Sequence, residues 1–164
     1  MATPDFVLAL REKVGTHPLW LSGVTAVVLR ESDGGGEEGG TEVLLVRRSD
    51  TGAWTPVTGI IDPGEEPAVA AAREILEEAN VVATVDTLVW VKVTAPVRYE
   101  NGDESQYLDV IFRCSYVSGD AFPADGENTE AAWFALDALP EISDDMRGRV
   151  MSAVETDGVA RFEK

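Results

Sequence analysis

Apolar and polar positions alternate in a way that divides the chain into helices and strands. Residues 4–14 (PDFVLALREKV) carry Phe6, Val7, Leu10 and Val14 at helical spacing. Residues 23–30 (GVTAVVLR) are a near-continuous apolar run, the pattern of a buried strand. Residues 42–48 (EVLLVRR) form a second strand, and the two are expected to pair as a hairpin across the glycine-rich run Asp33 to Gly40. That run lacks a Gly-Lys-Ser/Thr ending, and its Glu37 and Glu38 repel phosphate, so it is read as a surface loop. Residues 54–65 are turn-rich. A helix follows over Pro67 to Ala79, with Pro in an early position. Strands are expected over 84–94 and 107–117, with a polar turn at Asn101, Gly102 and Asp103, and again over 131–135. Leu136 to Leu139 and Asp144 to Glu155 are expected to be helical. This order predicts an α+β fold with a mixed β-sheet sandwiched between α-helices, an α/β/α arrangement. No internal repeat or linker interrupts it, so residues 1–164 are read as one domain, with 1–20 as an N-terminal helical extension.

Composition narrows the function. Thirteen Lys and Arg face thirty Asp and Glu, a formal charge of −17. Phosphate-backbone binding needs clustered cations, so a long nucleic acid is an unsuitable partner, as is an anionic membrane surface. No run approaches the ~20 apolar residues of a membrane span. The N-terminus lacks a signal-peptide pattern, and cytoplasm is the simplest compartment. One His and one Cys cannot make a zinc site of the usual kind. His17 has no nucleophile elbow to serve, and Cys114 sits in an alternating run as a core residue.

The helix at 67–79 carries the chemistry. At 100° per residue, Glu74, Glu77 and Glu78 fall within about 100° of one another. Ala68, Val69, Ala72, Ile75, Leu76 and Ala79 occupy the other arc, which is expected to pack inward. Like charges at i, i+4 destabilise a helix by a few tenths of a kcal/mol, and Arg73 offsets only part of that. A divalent cation relieves the repulsion, and oxygen-only ligands select Mg²⁺, Mn²⁺ or Ca²⁺. A solvated acidic face is the alternative.

Spacing separates the two. Gly59, five residues, Glu65, seven residues and then Arg73-Glu74-Ile75-Leu76-Glu77-Glu78-Ala79-Asn80-Val81 resembles the Nudix box, over residues 59–81. Six fixed matches arise by chance in roughly one chain in 10⁴ of this composition. Two positions depart from the family pattern. Asn80 stands where the box ends in glycine, and Asn is the next-best residue for a left-handed helix end. Thr58 stands where many members have a second glycine.

The resemblance implies a Nudix fold and a hydrolase that uses Mg²⁺ or Mn²⁺ to cleave a pyrophosphate bond. The substrate is a nucleoside diphosphate linked to another moiety: a nucleoside triphosphate, ADP-ribose or a dinucleoside polyphosphate. By residue it implies metal ligation by Glu77 and Glu78, and by Glu74, which also orients or deprotonates water. Glu65 supports the site, Arg73 anchors the box and Gly59 permits close backbone approach. Some members add a carboxylate outside the box, before a Trp-containing strand; Glu127 is preferred here over Glu130, as both catalytic residue and metal ligand. Arg48 matches a substrate-contacting position. Arg98 and Tyr99 at the hairpin turn, and Asp109 on a strand face, are further candidates for substrate contact. Pro96 and Tyr99 are markers of two different substrate classes and do not decide between them. Three alternatives stand beside this reading: an inactive nucleotide-sensing Nudix module, an isopentenyl diphosphate isomerase, and an acidic adaptor. The isomerase is disfavoured by the single His. The N-terminal extension either caps the core or swaps between subunits, so a homodimer is possible.

Overall fold

The computed structural model describes residues 3–32 and 40–164. Most of the glycine-rich run, 33–39, lies outside the described residues. Three helices and nine strands follow one another among those residues: α1 (Asp5–Val14), β1 (Leu19–Glu31), β2 (Thr41–Arg48), β3 (Trp54–Thr55), β4 (Val57–Ile60), α2 (Pro67–Ala79), β5 (Val82–Val93), β6 (Val97–Arg98), β7 (Glu104–Ser118), β8 (Asn128–Ala135), α3 (Asp144–Val154) and β9 (Arg161–Phe162).

The sheet is mixed, in the order β3-β2-β1-β7-β5-β9. Its axis is a long parallel pairing of β1 with β7, from Leu19↔Ser105 to Leu29↔Ser115. β1 and β2 pair antiparallel, as expected, but only over Leu29–Glu31. Below that point β4 takes over the same edge of β1, with Val24 opposite Gly59. β8 pairs along β2, from Glu42↔Ala135 to Arg48↔Asn128. These crossings bring the loop before α2 and the loop before β8 to one end of the sheet.

Apolar side chains cover both faces. Val24, Ala26, Val28, Leu44 and Val46 pack with Ala71, Ile75 and Ala79 of α2. The intervening residues Val27, Leu29, Val43 and Leu45 pack with Val150 and Ala153 of α3. A two-residue period with both sides buried explains why β1 reads as an unbroken apolar run. Cys114 is fully buried on the α2 side, and burial pushes its thiol up to about 12.

Several expectations need correction. β3, β4, β6 and β9 are too short for periodicity to reveal. Residues 136–139 form a turn after β8, not a helix, with the Ala138 N–H bonded to the Ala135 carbonyl. The N-terminal extension is helical only to Val14, and Leu19 and Trp20 already belong to β1. Arg11 docks α1 on β7, donating to the Glu104 carbonyl (2.7 Å) and to Ser105 Oγ (3.0 Å).

The end of α2 is set by backbone geometry. Asn80 closes the helix in the left-handed conformation (φ 56°, ψ 30°), with its N–H on the Leu76 carbonyl. Gly119 crosses this end at φ +100°, where an added Cβ would lie 2.4 Å from the Asn80 carbonyl oxygen. A Gly119→Ala variant therefore loses roughly 2–4 kcal/mol of stability from overpacking and backbone strain, read as a lower urea midpoint at unchanged m.

Candidate active site

The site is built on the face of α2 that turns inward. Ala70, Ala71, Glu74, Ile75, Glu78 and Ala79 are its buried residues. Val69 and Leu76 are 58% and 50% exposed, and Ala68 and Ala72 are exposed as well. The expected arcs are thus rotated: Glu74 and Glu78 do not lie opposite the packed face, they share it, while Glu77 stays exposed. Small Ala side chains bring the helix close to the sheet, and Gly59 of β4 makes room for a carboxylate. An added Cβ at Gly59 would lie 2.1 Å from Cδ of Glu74. The close approach expected at Gly59 is that of Glu74 itself.

Arg73 ties the loop before α2 to the helix. It donates to Glu65 through Nε (2.9 Å) and Nη2 (2.9 Å), to Glu74 Oε1 (2.8 Å) and to the Ile60 carbonyl (3.2 Å). A contact with Glu77 is longer, at 3.2 Å, and that carboxylate is half exposed. The guanidinium holds Glu65 below the ordinary carboxylate range. Glu74 behaves oppositely. Burial raises its carboxyl to about 7 against the pull of Arg73, and the neighbouring glutamates push the same way. Burial likewise raises Glu78 to about 7, opposed in part by the Asn128 amide, which donates to Glu78 at 3.3 Å.

The loop before β8 brings further carboxylates. Oxygens of Glu78, Asp125 and Glu127 lie within 4.8 Å of one another. Ser49 fastens that loop, with its N–H (2.8 Å) and its hydroxyl (2.6 Å) both donating to the Glu127 carbonyl. Glu130 points elsewhere and pairs with Arg47 at 2.7 Å. Asp125 was not expected. Nothing in box spacing marks it, although its position two residues before Glu127 in a Gly-containing turn was a usable signal.

The expected substrate contacts divide. Arg48, at the end of β2, is held by Asp50 through two 2.9 Å bonds, and its charge acts on Glu78. The Tyr99 and Tyr107 hydroxyls are 2.7 Å apart. Arg98 is largely exposed, 3.8 Å from Glu104. Asp109 does not reach this site. It is buried on the α3 side of the sheet, 2.7 Å from Arg149, and accepts from the Thr25 hydroxyl. The strand period sends its side chain to the face opposite α2.

Comparison with known proteins identifies the arrangement. Residues 21–153 match the family model described as NUDIX domain. The chain belongs to the NUDIX domain family. It is a Nudix hydrolase by family, and its relatives carry names in keeping with that. It is 32% identical over 130 residues to a MutT-like protein of Streptomyces ambofaciens, covering 79% of this chain and 73% of the relative. It is 33% identical over 106 residues to the NAD-capped RNA hydrolase NudC of Pseudomonas aeruginosa, covering 63% of this chain. It spans only 35% of that longer relative. An ADP-ribose pyrophosphatase from Streptococcus suis has the same Nudix fold, with a TM-score of 0.63 at 19% identity over 87% of this chain and 98% of that one. Among the described residues no helix is long and apolar enough to cross a membrane.

The raised carboxyls have a thermodynamic consequence. A carboxyl whose folded pKa exceeds its unfolded value supports folding below about 4.5 and loses that support as pH rises through 7. Glu65, Asp50 and Asp145 are held low, so they are ionised in both states across this window. Chelator-treated Nudix protein should therefore lose stability between pH 5 and 8, on the order of 1–3 kcal/mol for each of Glu74 and Glu78. Chemical denaturation across that range checks this, and Glu78→Gln should flatten the decline.

Proposed function

We propose that this chain is a divalent-cation-dependent pyrophosphohydrolase, cleaving the pyrophosphate bond of a nucleoside diphosphate linked to another moiety. The observation that carries this reading is the convergence of Glu78, Asp125 and Glu127, with Glu74 one turn away from Glu78 on α2, at one end of a Nudix fold. The donor set suits a hard cation. It consists of oxygens alone; Glu74 Oε2 and Asn128 Oδ1 are buried with no hydrogen-bond partner, and three carboxylates sit within ligand reach of one another. Glu74, Glu77, Glu78, Asp125 and Glu127 would hold Mg²⁺ or Mn²⁺. Such a cation supplies charge neutralisation of the diphosphate and acidifies water in its vicinity.

The protein's own groups do the remaining work. Arg73 keeps the first carboxylate of the set fixed, and Glu65 keeps Arg73 in place. Arg48 adds a positive charge beside Glu78 for phosphate oxygens. Glu127, half-buried on a loop pinned by Ser49, is placed to accept a proton from attacking water. Tyr99 is near enough for the charge of Arg48 to act on it, which makes it a candidate contact for the part of the substrate beyond the phosphates. Phosphoryl transfer depends mainly on positioning and electrostatics, which is what these residues provide.

The names of relatives and of a structural neighbour, an NAD-capped RNA hydrolase, an oxidized purine nucleoside triphosphate hydrolase and an ADP-ribose pyrophosphatase, support a nucleotide pyrophosphate as the substrate class in this reading. A protein of −17 charge reaches such anions only with cations between them. A cytoplasmic setting accords with the single buried, unpaired Cys114.

The test is a panel of nucleoside triphosphates, ADP-ribose, diadenosine polyphosphates and dinucleotides, with Mg²⁺ and with Mn²⁺. At least one should be cleaved, and Glu78→Gln should lower kcat by at least about a hundredfold with the fold intact. Failure of every substrate with both cations, or full activity in Glu78→Gln, overturns the proposal.

A further inference from the structure

An open cavity of about 530 Å³ lies between the start of α1 and the Nudix box. One wall is Pro4, Asp5 and Phe6; the other includes Asp62, Arg73 and Glu77. Phe6 is half-buried, while Val7 beside it is 4% exposed and seats the helix. Arg11 locks the far end of α1 through the Gly15, His17 and Glu104 carbonyls and Ser105 Oγ. The wall carrying Phe6 is therefore anchored at both ends. It meets the box at two residues that belong to the carboxylate network.

Size and charge limit what fits. The volume is within the range of small-molecule sites. Asp5 and Asp62 add negative charge to the lining, the guanidinium of Arg73 already serves Glu65 and Glu74, and Glu77 marks the edge shared with the proposed cation ligands. Phosphate is repelled by such a lining, so the cavity suits an uncharged, planar part of a ligand whose phosphates lie at the carboxylates. An aromatic ring on an anchored wall offers a stacking platform with little ordering cost.

The geometry points to Phe6 of the N-terminal helix as the residue that stacks on the nucleobase, making α1 part of the substrate site. This rests on the proposed nucleotide chemistry of the box. The probes are α,β-methylene-ADP and methylenediphosphonate, which lacks a base, each titrated calorimetrically with Mg²⁺. Wild type should bind the nucleotide more tightly. Phe6→Leu, which retains apolar volume, should weaken the nucleotide by about 5- to 50-fold and leave the diphosphonate within about twofold. Phe6→Tyr, which keeps a ring, should bind both as wild type does.

Unchanged nucleotide affinity in Phe6→Leu overturns the inference. So does equal loss of both ligands, which marks a structural role. Loss of nucleotide in Phe6→Tyr as great as in Phe6→Leu also overturns it, because a ring is then not what binds. If wild type binds the diphosphonate and the base adds nothing, this inference fails alone. If wild type binds neither ligand, the hydrolase reading fails and this one with it.

Discussion

The structure depends on one close contact, the Glu74 carboxylate packed against the bare backbone of Gly59. A buried carboxylate is costly unless something compensates for it. Arg73 takes one oxygen, at 2.8 Å, and the other is left buried without a partner. The helix thus presses an acidic group into an interface where an apolar one would be more stable, and the fold accepts that cost at the point where chemistry is proposed. The alanines of α2 permit it. They bring the helix axis close to the sheet, so that Glu74 and Glu78 reach the end of β4 and the loop before β8.

The remaining elements serve that placement. β1 gives its edge first to β2 and then to β4, which carries Gly59 to the helix. β8 follows β2 and delivers Asp125, Glu127 and Asn128 to Glu78. α3 covers the opposite face, where the Asp109–Arg149 pair is an internal matter of the sandwich and not of the site.

The box was legible because fixed residue types at fixed spacing survive any uncertainty in element boundaries. β1, β2, β5, β7 and α2 were legible from period and length, and Asn80 from the demands of a left-handed helix end. The orientation of α2 was not. Helix arithmetic turns charge outward by default, and only the empty space at Gly59, contributed by a different element, reverses it. Asp125 was missed because its proximity to Glu78 is made across a long loop, with its place two residues before Glu127 the only local sign of it. Asp109 was misplaced because alternation along a strand says which residues share a face, not which helix that face meets. Strands of two residues, such as β3 and β9, exist through pairing alone.

Under the proposed function, the Gly59–Glu74 contact presents a carboxylate to a cation. Mn²⁺ titration of wild type and Gly59→Ala, followed by electron paramagnetic resonance of the free ion, tests it most directly. In Gly59→Ala the added Cβ falls on the Glu74 side chain and must displace it, and the Mn²⁺ affinity of the folded variant is expected to fall at least about tenfold as the ligand leaves its place. Equal Mn²⁺ affinity in the folded variant and the wild type would contradict it.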